Sequence, residues 1–248
     1  MTKLGAIVEK LRAFASKDAF PYIVIAVIGA VVATVATIHP LAATDTFNRY
    51  APMARAFAEG DWYGAFHPRF GVGFQVLTGS LTWLTGLDGY RSCSLVSTVA
   101  WALSMVPLFR IADRLFGRTA AWFALVLFAI CPQTLVWSFK GFRESFKMLG
   151  ALLALDVMTG WRKGGWTLVA EAAAALASLI LFKVDAVVIG GLFVCCVLAV
   201  DRFHPRSLVV AATGAILVQP MCCLVYSWTG WWLPAVQYIS LAERVFGG

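Results

Sequence analysis

The chain has 248 residues, of which 60% are apolar and only 13% charged, and its mean hydropathy is +0.80. That composition excludes an ordinary soluble domain. The net charge of +7 raises nucleic acid or anionic lipid as partners. Spread over the short loops of a membrane protein, however, it reads as the positive-inside bias, and no nucleic-acid partner is expected.

Residues 1–19 carry Lys3, Lys10, Arg12 and Lys17, with Ile7, Leu11 and Phe14 on one helical face. A full-length apolar run follows with no small-residue cleavage site. The segment is therefore expected to be a cytoplasmic amphipathic helix and not a cleaved leader. A spanning helix needs about 20 mostly apolar residues. The runs 20–39, 93–109, 120–137, 146–160, 166–182, 186–200 and 207–228 meet or approach that length, with 146–160 and 186–200 the short ones. Segment 72–87, interrupted by Gly73, Gln75, Thr78, Gly79, Ser80, Thr82 and Thr85, is expected to lie along the surface, and is an eighth span if it does not. The fold class is all-α: a polytopic transmembrane helix bundle of about seven spans, with a long outer first loop containing juxtamembrane helices. Lipid demands closed backbone hydrogen bonding, and no barrel alternation is visible.

Between the first two spans, residues 43–71 form the one long polar stretch, holding Asp45, Arg49, Arg55, Glu59, Asp61, His67 and Arg69. The spacing of Phe47, Tyr50, Ala54 and Phe57 or Ala58 predicts an amphipathic helix over 45–59. Asp45 stands at its start, where a carboxylate commonly caps free backbone N–H groups. The other role open to Asp45 is that of general base in a membrane-bounded cavity. His67 and Pro68 read as a turn toward the bilayer, and with no second His or Cys nearby a zinc site is not expected. Arg69 suits a phosphate or a lipid head group.

Further along, SFKGFRESFK (138–147) places Lys140, Arg143, Glu144 and Lys147 three and four residues apart if helical. Such cations clamp a phosphate; the plainer reading is an intrahelical ion pair of Glu144 with Lys140 or Lys147. In LFKVDAV (181–187), Lys183 and Asp185 are hemmed in by apolar residues, which favours a functional pair. Trp228, Trp231 and Trp232 read as an interfacial aromatic belt. The six cysteines lie in apolar runs without disulfide or metal-ligand spacing, so buried small hydrophobes and no disulfides are expected.

Lys and Arg counts put the N-terminus inside and the C-terminus outside. Asp45, Glu144, Asp185, Arg49, Lys140, Arg143 and Lys183 then share the outer face. Convergence of that kind suggests a polar cavity, against the simpler reading of snorkelling loop charge. Asp156 and Glu171 fall near the inner end, with no catalytic role. No nucleotide-binding loop, nucleophile elbow or metal triad is present, which favours a donor already attached to lipid over a soluble nucleotide-sugar.

In this order, the features resemble the polytopic C-type glycosyltransferases of the protein mannosyltransferase and lipid A aminoarabinose transferase kind. The resemblance rests on Asp45 ahead of Tyr50, AFAEGDW (56–62), His67-Pro68, RIADRLFGRTAAW (110–122), Pro132, SFKGFRES (138–145), Phe182-Lys183-Val184-Asp185, Pro220 and Thr229-Gly230-Trp231. It covers roughly residues 20–233, which are expected to form the transferase-like module, with the outer loop at 40–91 and an outer-face tail at 234–248. It implies transfer of a sugar from a polyprenyl-phosphate donor to an acceptor hydroxyl at the outer face of the membrane.

The residue roles follow from the resemblance. Asp45 becomes the catalytic base, and Lys183, Arg143, Lys140 and Arg69 hold the donor phosphate. Glu144, Asp185, Tyr50, Asp61 and His67 support them. No cofactor is specified, though a divalent cation is compatible. A second acid near the loop Asp, frequent in the family, is replaced by Thr46 and Phe47. Family members usually run longer, so a non-catalytic or partial membrane subunit that binds lipid or a partner chain is the alternative. A transporter of lipid-linked sugars is a third reading, for which no internal repeat is found. The implied location is the bacterial inner membrane.

Overall fold

The computed structural model describes residues 19–41, 43–66, 72–161, 165–182 and 187–229, with the backbone alone given for 220–229. Every regular element among the described residues is helical. The expected amphipathic segment at 1–19 and the chain beyond Thr229, including Trp231 and Trp232, lie outside them.

Helix α1 (Phe20–Ile38) is almost wholly apolar and leaves Ile23, Val27, Val31 and Ile38 more than half exposed. In water such a face would be prohibitive; against lipid tails it is the expected surface. The chain then makes a π-helical stretch (Thr46–Tyr50) that runs into α2 (Ala51–Ala58), a short α3 (Trp62–Ala65) and α4 (Val72–Thr85). Helix α5 (Gly89–Phe116) is the longest, and α1 and α8 pack against it. It is followed by α6 (Arg118–Ile130) and α7 (Pro132–Phe139), which meet at a bend of 51°. Pro132 begins α7, where its missing N–H costs least, so the chain bends at Cys131 without an orphaned donor. Helices α8 (Glu144–Gly160), α9 (Trp166–Ile180), α10 (Val187–Asp201) and α11 (Pro205–Thr229) complete the bundle.

Each of the seven apolar runs thus carries a helix. By length and composition α1 and α5 can cross a membrane alone, and α6 with α7 can do so as one broken span. Helices α9, α10 and the first part of α11 are apolar but shorter. The protein is an all-α helical membrane protein.

Helix α4 has both ends tied to the same end of the bundle. At its start Gly73 N–H donates to the Leu181 carbonyl (2.8 Å), just past α9; near its close Thr82 Oγ1 donates to Ser92 Oγ (2.9 Å), in the first turn of α5. It therefore bridges two helix ends.

Among the described residues, two apolar clusters fill the middle and far part of the bundle, and a third is taken up with the site below. Trp101, Met105, Phe109 and Leu125 pack with Ile25 between α1, α5 and α6. Trp161, Leu176, Val197 and Val210 pack between α8, α9, α10 and α11. Small buried hydroxyls on α5 (Ser92, Ser94, Ser97, Thr98 and Ser104) line its inward side, which lets neighbouring helices approach closely. Among the described side chains the expectation of buried cysteines holds for Cys93 alone: Cys131 is half-buried, and Cys195 and Cys196 are exposed on α10, where lipid contact suits a thiol as well as a core does; the side chains of Cys222 and Cys223 lie outside the description.

Candidate active site

Segments far apart in sequence meet at the end of the bundle where α4 lies. Their meeting ground is an apolar cluster of Tyr50, Phe74, Cys93, Phe146, Leu149 and Phe182. Tyr50 sits edge-on to Phe74 (5.5 Å), Phe74 edge-on to Phe146 (6.1 Å), and Phe146 stacks on Phe182 (3.8 Å). Four stretches of chain are thereby fixed to one floor: the turn after Asp45, the start of α4, the start of α8 and the exit from α9.

The Asp45 turn differs from expectation in two ways. The chain is already helical at Thr44, and Asp45 has helical backbone angles and makes no capping bond. Its carboxylate instead faces Arg49 at 3.5 Å, one helical turn on, with both side chains about half exposed (54% and 57%). The second difference is the wider π-helical winding over 46–50, which rotates the helix surface. Thr46 and Tyr50 are buried, whereas Phe47, predicted on the apolar face, is 69% exposed. Single-turn π-bulges of this kind frequently occur at functional sites.

The 138–147 break is not one helix. Helix α7 ends at Phe139, Lys140 closes it, and α8 begins at Glu144, so Lys140 and Glu144 stand on opposite sides of a turn and cannot make the predicted intrahelical pair. The turn depends on Gly141, whose φ is +67°; a Cβ there would stand 2.9 Å from Cys93 and from the Ser94 backbone nitrogen. Only glycine accepts both the conformation and the contact. Helix α5 then fastens the turn by its serines. Ser94 Oγ donates to the Phe139 carbonyl (2.8 Å) and Ser97 Oγ to that of Phe142 (2.7 Å), while Ser97 and Ser145 share a hydrogen bond of 2.9 Å. The Thr46 hydroxyl, neighbour of Asp45, donates to the Lys140 carbonyl.

These bonds bring the Asp45 turn and the 140–144 turn together. Arg143 lies over the Tyr50 ring, its guanidinium carbon 5.8 Å from the ring centre, a cation–π arrangement. Burial pushes the Tyr50 phenol up to about 12, partly offset by Arg143 and reinforced by Glu144 and Asp45. Tyr50 is thus a neutral donor at ordinary pH, and Asp45, Arg49, Arg143 and Glu144 all lie within electrostatic range of it.

The remaining predicted residues divide. Asp61 caps α3, accepting from the Gly64 N–H at 3.0 Å, which is a structural role. His67, Arg69, Lys183 and Asp185 lie outside the described residues; Phe182, on the N-terminal flank of the last two, stacks on Phe146 as given above. Among the described residues no three His, Cys, Asp or Glu side chains gather as a metal cluster would require.

At the opposite end of the bundle Asp156 and Glu171 have ion-pair partners that the sequence reading left unassigned. Arg110 grips Glu171 through two bonds (2.7 and 3.1 Å) and reaches Asp156 at 3.1 Å, while Arg114 meets Asp156 at 3.0 Å. Asp156 is fully buried. An acid inside an apolar run requires a partner, and that demand was the available signal. Arg206 pairs with Asp201 (2.7 Å) and lies over Trp161 at the same end.

The family model described as dolichyl-phosphate-mannose-protein mannosyltransferase matches residues 53–228. The matched stretch includes Lys140, Arg143 and Glu144 and begins eight residues after Asp45. No curated protein and no solved structure matches the chain.

Proposed function

The chain belongs to the dolichyl-phosphate-mannose-protein mannosyltransferase family, and from that premise we propose that it transfers a sugar from a polyprenyl-phosphate donor to an acceptor hydroxyl at the outer face of the membrane. The observation that carries this reading is the joining of the Asp45 turn to the cationic 140–144 turn over one aromatic floor. A transferase of this type needs a base for a neutral hydroxyl and fixed cations for an anionic leaving group.

In the proposed reaction Asp45 accepts the proton of the acceptor hydroxyl. The hydroxyl oxygen bonds to the anomeric carbon as the bond from that carbon to the phosphate oxygen breaks, and polyprenyl phosphate leaves with the electron pair. Lys140, Arg143, Lys183 and Arg69 balance the charge of the leaving phosphate. Glu144 and Asp185 orient those cations or hold a divalent ion, and Tyr50 donates a hydrogen bond. The half-exposed position of Asp45 supports this role, since an acceptor can reach it. Seven spans, a cytoplasmic N-terminus and a bacterial inner membrane complete the reading.

The test is transfer by the purified chain in lipid nanodiscs supplied with polyprenyl-phosphate mannose. Asp45→Asn should lower turnover by about 10²–10⁴-fold, with the thermal midpoint nearly unchanged. Wild-type turnover in that variant removes Asp45 from the role of base. Because the family match starts beyond Asp45, a second reading is a membrane subunit that keeps the fold and binds lipid without transferring sugar. It predicts donor binding without turnover in the wild-type chain.

A further inference from the structure

We infer that Tyr90 and Thr46 are positioning residues for the proposed transfer, their hydroxyls clasping the Asp45 turn from its two sides. The inference rests on the transferase reading for the role of Asp45. Upstream of Asp45, the Tyr90 hydroxyl donates to the Leu41 carbonyl, while the Leu41 N–H donates to the Phe139 carbonyl at 3.3 Å. Downstream, the Thr46 hydroxyl donates to the Lys140 carbonyl. Both backbone groups of Leu41 are thus engaged, and no bond of the clasp uses the Asp45 carboxylate.

The anchors of the clasp are themselves fixed. Asp88 caps α5, accepting from the Tyr90 and Arg91 N–H groups at 2.9 Å each, so Tyr90 projects from a secured first turn. Gly89 beside it lets that turn meet the start of α2 backbone to backbone. A Cβ there would stand 2.3 Å from the Ala51 carbonyl oxygen. Phe139, which takes the Leu41 bond, also accepts from Ser94 Oγ of α5 at 2.8 Å. Thr46 is fully buried, so breaking its bond would strand a hydroxyl away from water.

Transfer gives this clasp its purpose. At the transition state the attacking and leaving oxygens are both partly bonded to one anomeric carbon. The base and the phosphate-binding cations must therefore keep one separation. They sit on segments far apart in the chain, and Thr46 joins them directly across 94 residues. The π-helical winding begins at Thr46. Thr46 is buried against Lys140, while Asp45, one residue earlier, stays half exposed and open to an acceptor. Tyr90 fixes the other side of the same short segment, so Asp45 cannot swing with the chain leaving α1.

The test uses the full chain in nanodiscs with polyprenyl-phosphate mannose, reading kcat, donor KM and hydrogen exchange of the 43–50 amides. Thr46→Val should lower kcat about 10²-fold, the consequence of a small misplacement of the base. Donor KM should stay within a few-fold, and Thr46→Ser should restore kcat. Tyr90→Phe should lower kcat about ten-fold. Thr46→Val and Tyr90→Phe should both speed exchange over 43–50. In an Asp45→Asn chain neither should reduce the residual turnover further, since no base is left to position. Thr82→Val, which removes the hydroxyl tie between α4 and α5, should leave kcat and that exchange unchanged. Wild-type kcat in both clasp variants, an equal loss in Thr82→Val, a further full loss on top of Asp45→Asn, or unaltered 43–50 exchange overturns the inference. Faster exchange in the clasp variants of a chain that transfers no sugar keeps the clasp and rejects the transferase reading. Normal transfer and normal exchange in both variants does the reverse.

Discussion

Phe146 and Phe182 stack with ring centroids 3.8 Å apart and planes inclined by 10°, fastening the first turn of α8 to the residue from which the chain passes to Lys183. Both rings are buried, and the close approach of α4 is possible because Gly73 has no side chain: a Cβ there would meet Phe182 at 2.8 Å. The stack is where the start of α8 and the exit from α9 share a wall. Phe182→Ala should cost about 3–5 kcal/mol, the usual loss for a buried aromatic ring, and should raise the donor KM. Phe182→Leu keeps most of the volume and forfeits mainly the ring pairing, about 0.5–1.5 kcal/mol. Thermal unfolding in detergent together with donor KM checks both. Unchanged values for Phe182→Ala would mean that the stack does not organise the site.

What could be read from the sequence was set by what is local. Each apolar run became a helix because hydropathy alone dictates that outcome in lipid. The sharing of one bundle end by the 44–50, 140–144 and 181–182 stretches followed from counting helices that alternate in direction. Three things were not legible. The π-helical winding at 46–50 turns Phe47 outward, and a 3.6-residue period cannot anticipate it. The break at Gly141 is required by the approach of Cys93 on another helix, a contact invisible to local pattern. The pairing of Arg110 with Glu171 joins residues 61 apart in the chain, although the acids themselves were in view.

Tyr50 offers a pH test of the site. Its phenol is raised from 10.0 to about 12, chiefly by burial. A folded pKa above the unfolded one means that the folded state holds the proton more tightly. The associated stability is complete below pH 10.0 and is lost as pH rises from there to about 12. Two units correspond to about 2–3 kcal/mol. Tyr50→Phe should remove this alkaline loss while preserving the packing against Phe74. Unfolding midpoints of the two proteins across that range, with ultraviolet difference titration of the phenol, decide the matter; parallel profiles would show that Tyr50 does not titrate in the folded chain.

Sidedness is open to chemical labelling at the 43–66 loop. Gly64 is a poor place for an engineered cysteine, since a Cβ there would stand 2.3 Å from an Asp61 carboxylate oxygen and disturb the α3 cap. Tyr63, 73% exposed, is suitable. In a chain with Cys195 and Cys196 replaced by serine, Tyr63→Cys should react with an impermeant maleimide added to intact cells. Reaction only after the membrane is opened would invert the proposed orientation and place the Asp45 turn on the cytoplasmic side.

The Arg110–Asp156–Arg114 cluster predicts a separation of stability from turnover. Asp156 is buried and meets both arginines at 3.0–3.1 Å, with Glu171 holding Arg110 from the other side. Removing one member of a buried ionic set leaves its partners uncompensated, at a cost of about 3–5 kcal/mol. Because the arginines are partly exposed, Asp156→Ala should fall at the lower end of that range. Asp156 lies twelve residues along α8 from Glu144, about 18 Å of helix rise, so the cluster and the proposed site occupy opposite ends of one rigid element. Asp156→Ala should therefore lower the unfolding midpoint and the yield of folded protein while turnover per folded molecule stays within a few-fold of wild type. A large fall in kcat with the midpoint preserved would instead mean that the charge cluster and the Asp45 end are coupled through α8, and that the buried acid belongs to the working parts of the protein.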